Sequence, residues 1–175
     1  VKDLALGSGG VLVSGSEEAP VSHIRLDSRQ VEPGDLFVPL LGERVDSHRF
    51  LPQVMDQGAA AVLTSQELTL PEGGAGCAVI RVEDTKKALQ KIGSYLRDRL
   101  PLPLVGVTGS VGKTTTREMV AAALSAGFLV YKTPGNSNSH VGVPITVAEI
   151  PENAEIGVIE LGMSEPGEMT RIANV

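Results

Sequence analysis

Tryptophan is absent and aromatic residues are scarce, three Phe and two Tyr in 175 residues, so any core must be built mostly from Val, Leu, Ile and Ala. Apolar residues still make up 42% of the chain, enough for a sizeable core in one domain or two small ones. The single Cys77 excludes an internal disulfide. It ends the stretch Pro71-Glu72-Gly73-Gly74-Ala75-Gly76-Cys77, a loop leading into a strand. A buried or half-buried structural thiol is expected there, and nothing local supports a nucleophile. No apolar run reaches the roughly 18 residues needed to span a membrane. The first residues carry no basic-then-apolar signal pattern. A cytoplasmic protein without membrane insertion is expected, and a chain that begins with Val1 reads as cut at its start. Basic surface is also missing. The net charge is −6 and no Lys/Arg block stands out, which argues against nucleic acid and anionic membrane as partners. The three His lack chelating spacing and do not read as a metal site.

Twenty Gly and eleven Pro imply many tight connections, as in α/β folds. The most informative stretch is Gly106-Val107-Thr108-Gly109-Ser110-Val111-Gly112-Lys113-Thr114-Thr115-Thr116. An apolar run from Leu102 to Val107 precedes it and an alanine-rich run with helical spacing follows. Strand, glycine-rich turn and helix are the context a phosphate-binding loop needs. Backbone N–H groups of the turn and the helix N-terminus attract phosphate oxygens. Lys113 is placed for the β- and γ-phosphates of ATP and the Thr114 hydroxyl for Mg²⁺. The general pattern wants Gly where Val107 stands, so the match is incomplete.

The first hundred residues alternate short strands and helices. Strands are expected at Val11–Val13, Val21–Leu26, Leu36–Leu40, Ala59–Thr64 and Val79–Val82. Pro33-Gly34 fits a type II turn, and Pro39 suits an edge strand. A short helix is expected over Ser47–Gln57 with Ser47 as cap and Pro52 in its first turn, and a longer one over Thr85–Arg99 capped by Asp84. Pro101-Leu102-Pro103 marks a boundary. Beyond the phosphate loop, Thr115–Ala126 reads as a helix burying Met119, Val120, Ala123 and Leu124. Phe128–Tyr131 and Ile156–Leu161 read as strands, with a helix over Gly142–Ile150 between them. This alternation predicts a parallel sheet with ligands at the carboxyl ends of its strands, where the phosphate loop, the Asn136–His140 loop and Glu160 all fall. From position alone, Glu160 is equally a Mg²⁺ ligand or a surface carboxylate.

Several motifs occur together and in order. They are Asp27-Ser28-Arg29, Pro33-Gly34-Asp35-Leu36-Phe37, Gly42, Asp46-Ser47-His48-Arg49-Phe50 and Gly58-Ala59-Ala60-Ala61-Val62 in the first half. In the second are Thr108–Thr116, Gly135-Asn136-Ser137-Asn138, Gly142-Val143-Pro144, Glu160-Leu161-Gly162-Met163 and Gly167-Glu168. In this set the chain resembles the amino-terminal part of a Mur ligase over nearly its whole length. Ser47 departs from the family's usual Gly.

The resemblance implies two domains: residues 1–100 binding a UDP-muramoyl peptide, and residues 101–175 as the amino-terminal part of a truncated central ATP-binding domain with a mainly parallel sheet. It implies an ATP- and Mg²⁺-dependent amide ligase working through an acyl phosphate. Arg117-Glu118, the Asn-x-Asn loop and Glu160-Leu161-Gly162-Met163 favour the member that joins D-Ala-D-Ala to UDP-N-acetylmuramoyl-tripeptide over the one that adds the third peptide residue. By the same resemblance Lys113 and Glu160 are catalytic, and Thr108, Gly109, Ser110, Val111, Gly112, Lys113, Thr114 and Thr115 hold ATP. Thr114 and Glu160 hold the metal, while Ser28, Arg29, Asp46, His48 and Asn138 form the UDP-substrate site. A monomer is expected at full length, with further metal-binding residues and a third domain beyond Val175. From the residues alone, Arg29 is better read as pairing with Asp27 or Asp35 on the surface, His48 also fits a first helical turn hydrogen-bonded to backbone, and turn formation alone explains Asn136 and Asn138. Two other readings stay open: another phosphate-loop enzyme, and a non-catalytic UDP-sugar-binding module.

Overall fold

A computed structural model describes residues 1–42, 45–67, 76–163 and 168–175. The loop expected over 71–75 and Gly167 lie outside the described residues. The chain forms two compact units, Val1–Ile92 and Gly93–Val175.

The first unit is a five-stranded sheet. Its strands are β1 (Val11–Ser14), β2 (Ile24–Arg25), β3 (Leu36–Phe37), β4 (Ala61–Thr64) and β5 (Ala78–Arg81), in the order β1-β5-β4-β3-β2. Neighbours from β2 to β5 run parallel, and β1 joins β5 antiparallel. A parallel sheet is stable when both faces are covered, and alternate residues here are buried on both. Phe37, Val62 and Val79 pack with Leu51, Val54 and Met55 of α2 (Leu51–Asp56). Leu36, Leu63 and Ile80, which alternate with them, are fully buried too. The expected type II turn is present: Gly34 has φ +95°, and Asp35 N–H donates to the Glu32 carbonyl at 3.1 Å.

Several expectations change. The second strand shrinks to Ile24–Arg25. β3 lies inside the sheet rather than at its edge, and this is tolerated because the strand ends at Phe37, before Pro39 would remove a ladder donor. The helix from Ser47 begins as a 3-10 turn, Ser47–Phe50, and Asp46 rather than Ser47 caps it, accepting from His48 N–H at 2.9 Å. Pro52 falls in the first turn of α2, where its missing N–H has no partner to lose. A seven-residue helix, α1 (Lys2–Ser8), carries two Gly or Ser positions and no periodic apolar stripe long enough to announce it. Helix α3 (Thr85–Arg97) is capped by Asp84 as expected, with Lys87 N–H donating to its carboxylate at 2.9 Å.

The second unit has three parallel strands, β6 (Leu104–Val107), β7 (Val130–Lys132) and β8 (Ile156–Glu160), in the order β6-β8-β7. Helix α4 (Lys113–Leu124) follows β6, α5 (Gly142–Ala148) follows β7, and α6 (Glu168–Ala173) follows β8. Val107 and Val158 meet Ala121 of α4 on one face of the sheet. Ile159 meets Val143 of α5 and Ile172 of α6 on the other. Helix α4 does not bury the expected stripe. Met119 is 68% exposed and Ala123 is exposed, Val120 and Leu124 are half-buried, and the buried pair is Arg117 and Ala121. The helix starts at Lys113, and the turn that carries the loop chemistry decides which side faces the sheet. Among the described residues no helix is long and apolar enough to cross a membrane.

Cys77 is 2% exposed within the core of the first unit, and burial pushes its thiol up to about 11. The thiolate is the reactive form. Cys77 is therefore expected to resist alkylation by iodoacetamide at pH 8 in the folded protein and to react fully in denaturant, as read by peptide mass mapping. Rapid labelling of the folded protein would contradict this packing.

Candidate functional site

Parallel strands present their carboxyl ends on one side of a sheet, and ligands gather there. In the second unit β8 is the middle strand, and Glu160 at its end is level with Val107 at the end of β6. The loop after β6 and the loop after β7 therefore flank Glu160.

The first of these loops is Thr108–Gly112. Gly112 adopts the left-handed conformation, φ +76°, and is the N-cap of α4 with no side chain to satisfy the first-turn N–H groups. A Cβ at Gly112 would meet nothing within 4 Å, so backbone conformation is what calls for glycine here. Uncapped N–H groups at the start of a 12-residue helix attract anions. The Lys113 ammonium folds back over the loop and donates to the Gly109 carbonyl at 2.8 Å. Thr108, Ser110, Val111, Thr114 and Thr115 are exposed along the same loop and first turn.

Glu160 is 1% exposed. Its Oε1 accepts the Asn138 amide at 2.8 Å and the Thr114 hydroxyl at 3.4 Å, the latter at the outer limit of a hydrogen bond. Its backbone N–H donates to the buried Thr133 hydroxyl at 2.8 Å. Nη1 of Arg117 lies 3.1 Å from Oε2, yet the pair lacks hydrogen-bond alignment, and among the described residues no donor reaches the buried Oε2. A hydroxyl and a carboxylate make a hard-oxygen pair of the kind Mg²⁺ accepts when phosphates and water supply the rest. Among the described residues no group of three or more His, Cys, Asp and Glu is placed to hold a metal ion. The structure brings together Thr114, Glu160 and Asn138. Asn138, expected in the UDP-substrate set, here hydrogen-bonds Glu160.

In the first unit a pocket of about 560 Å³ is lined by Leu26, Asp27, Ser28, Arg29, Ser47, Phe50 and Gln53. Ser28 is buried, and Arg29 holds its guanidinium 84% exposed. Arg29 pairs with Asp27, Nη2 to Oδ2 at 2.5 Å, and its backbone N–H donates to Asp27 Oδ1 at 3.0 Å. The side-chain hydrogen bonds from Arg29 and then its backbone N–H hold the Asp27 carboxyl down at about 2. Asp35 pairs instead with Arg25, at 3.1 Å.

Asp46 and His48 lie outside the pocket lining. The His48 ring is buried, with Nδ1 2.6 Å from Asp46 Oδ1. The backbone N–H of Ser65 donates to Nε2 at 3.2 Å, which puts the ring proton on Nδ1, facing Asp46. The backbone N–H of His48, then its ring, holds the Asp46 carboxyl below the usual range. These two residues pin the turn before α2 to the end of β4. Phe50 and Gln53 in the pocket, and Thr133 and Arg117 near Glu160, were not legible as site residues. Arg117 left one trace, its place three residues after Thr114 on the same helix side.

With this geometry in place, the comparisons are specific. Residues 20–96 match the family model described as "Mur ligase family, catalytic domain", and residues 107–175 match "Mur ligase middle domain". The chain belongs to the Mur ligase family. It is 43% identical over 178 residues to the UDP-N-acetylmuramoyl-tripeptide–D-alanyl-D-alanine ligase of Bacillus subtilis (strain 168), a match covering 99% of this chain and 38% of that protein. Among solved structures, the corresponding D-alanyl-D-alanyl ligase of Acinetobacter baumannii superposes with a TM-score of 0.88 at 33% identity, covering 98% of this chain and 38% of that one. MurF ligase of Thermotoga maritima, solved in complex with ADP, superposes with a TM-score of 0.77 at 30% identity over 90% of this chain and 36% of that one. The chain thus spans a little over a third of the length of the relatives it matches.

The Asp27–Arg29 pair has a measurable signature. A folded-state value below the unfolded one means that the pair stabilises the fold at neutral pH and that this contribution is lost as pH falls towards about 2. Carboxyl NMR titration is expected to place Asp27 near that value, and Arg29→Ala is expected to move it up towards the ordinary 3.8. An unmoved Asp27 in the variant would break the assignment.

Proposed function

We propose that this chain is the substrate- and nucleotide-binding portion of an ATP-dependent amide ligase that joins D-Ala-D-Ala to UDP-N-acetylmuramoyl-tripeptide in peptidoglycan precursor synthesis, in the cytoplasm. The observation that carries this reading is the meeting of Thr114 in the phosphate loop with a buried Glu160 at the end of the central strand. Residues 1–100 serve the UDP-linked peptide and residues 101–175 serve ATP.

In the reaction the terminal carboxylate of the UDP-linked peptide takes the γ-phosphoryl group of ATP and ADP leaves; the amine of D-Ala-D-Ala then attacks the acyl phosphate, losing a proton as phosphate departs and the amide forms. Several anionic groups must approach one another, so positioning and charge neutralisation dominate. The N–H groups of Thr108–Thr115 cradle the phosphates. The Lys113 ammonium leaves the Gly109 carbonyl to meet the β- and γ-phosphates. Thr114 and Glu160 would hold Mg²⁺, which would supply neutralisation of the developing phosphate charge. Asn138 keeps Oε1 of Glu160 turned towards Thr114. In the other unit, the exposed guanidinium of Arg29 exchanges Asp27 for the pyrophosphate of the UDP group, with Ser28 beside it in the pocket.

In the full-length protein, Lys113→Ala is expected to lower ligation by at least about 100-fold, the scale of losing one transition-state charge contact, while affinity for UDP-N-acetylmuramoyl-tripeptide stays within about two-fold. Phosphate release and calorimetry measure the two quantities. Unimpaired turnover would remove the phosphate loop from the reaction. Arg29→Ala is expected to weaken the UDP compound about 10-fold or more, and unchanged affinity would leave Arg29 with only its surface partner.

A further inference from the structure

Arg117 is a buried cation to which the reading above gives no task. It stands on α4 at 5% exposure, on the helix side shared with Thr114. A guanidinium stays charged at every ordinary pH, so burying one demands partners. Nη1 donates to the Gly135 carbonyl at 2.7 Å and lies 3.1 Å from Oε2 of Glu160. Nε and Nη2 donate to Oε1 of Glu118 at 3.2 and 2.8 Å. The other carboxylate oxygen of Glu118 accepts from the Lys132 ammonium. Charges of alternating sign therefore run inward from Lys132 through Glu118 and Arg117 to Glu160.

Glu160 consequently has two different sides. Oε1 faces Thr114 and Asn138. Oε2 faces Arg117 and, among the described residues, accepts no hydrogen bond. We propose that Arg117 is a positioning residue for Glu160. It compensates the carboxylate from the side away from Thr114 and ties it to the Gly135 turn that leads to Asn138, so that Oε1 is presented to a divalent cation on Thr114. The proposal rests on the nucleotide-site reading above.

Two opposing effects have to be weighed. A guanidinium repels a cation nearby, but a cation at Oε1 lies on the far side of the carboxylate, and the nucleotide phosphates add negative charge there. Removing Arg117 would leave Oε2 as an uncompensated buried anion, and the side chain would turn to find other donors. Positioning outweighs repulsion. Partners that orient a metal-binding side chain typically alter metal affinity by 10- to 100-fold when lost.

The test is calorimetric titration of the full-length protein with ADP, with Mg²⁺ and with EDTA, comparing the parent with Arg117→Lys and Arg117→Met. The quantity read is the gain in ADP affinity that Mg²⁺ confers. Lysine keeps the charge but has no fork to span Gly135, Glu118 and Glu160. Arg117→Lys is expected to reduce the gain by about 3-fold and Arg117→Met by about 10-fold or more, with metal-free ADP affinity within about two-fold of the parent in both. A purely structural role would weaken ADP equally with and without Mg²⁺, and that result overturns the proposal. So does a parent-like gain in Arg117→Lys, which decides the matter even if Arg117→Met does not fold. A parent protein with no Mg²⁺ gain is a separate result: it removes the nucleotide-site reading, and the role of Arg117 falls with it.

Discussion

A carboxylate is costly to bury, and Glu160 is buried almost completely. Much of the second unit is arranged around that requirement. The β7–α5 loop brings the Thr133 hydroxyl to its backbone N–H and the Asn138 amide to Oε1. Helix α4 brings Thr114 from its first turn and Arg117 from its second. The same groups that compensate the charge fix the distance between the phosphate loop and the end of the central strand. Removing any one of them disturbs both packing and chemistry, so the two cannot be separated by inspecting burial alone.

The two arginines show how exposure sorts one residue type into two tasks. Arg29 is tied to Asp27 by a short, forked contact, but its guanidinium stands in water. Exposed ion pairs contribute little to stability, so an incoming anion can replace the carboxylate at small cost. Arg117 is shut away from water, and exchange of its partners would strand a buried charge. The first is suited to capture, the second to holding. His48 belongs with the second kind: its buried ring contacts Asp46 and the Ser65 backbone N–H just beyond β4.

Much of this was legible from the chain itself. The phosphate loop combines a strand, obligatory glycine conformation and a helix start, all local and all written in adjacent residues. The type II turn at Pro33-Gly34 and the Asp84 cap are local in the same sense. What escaped depends on distant partners. An arginine on an amphipathic helix reads as solvent-facing, and only the placement of Gly135 and Glu160 turns Arg117 inward. Met119 reads as core because apolar spacing ignores which side of α4 the loop chemistry selects. Pro39 reads as an edge marker because its place two residues beyond the end of β3 cannot be seen without the partner strands.

The order β6-β8-β7 has a consequence for how the candidate site comes into being. Among the described residues β6 and β7 do not pair with each other; both pair with β8, which follows them in sequence. A chain emerging from the ribosome would hold β6 and β7 without the strand that lies between them until residues 156–160 arrive. Leu104 must find Gly157, and the closure of so long a loop opposes the pairing until side-chain burial offsets it. Among the described residues, the meeting of Thr114 with Glu160 and the pairing of these three strands thus depend on the same late-arriving segment.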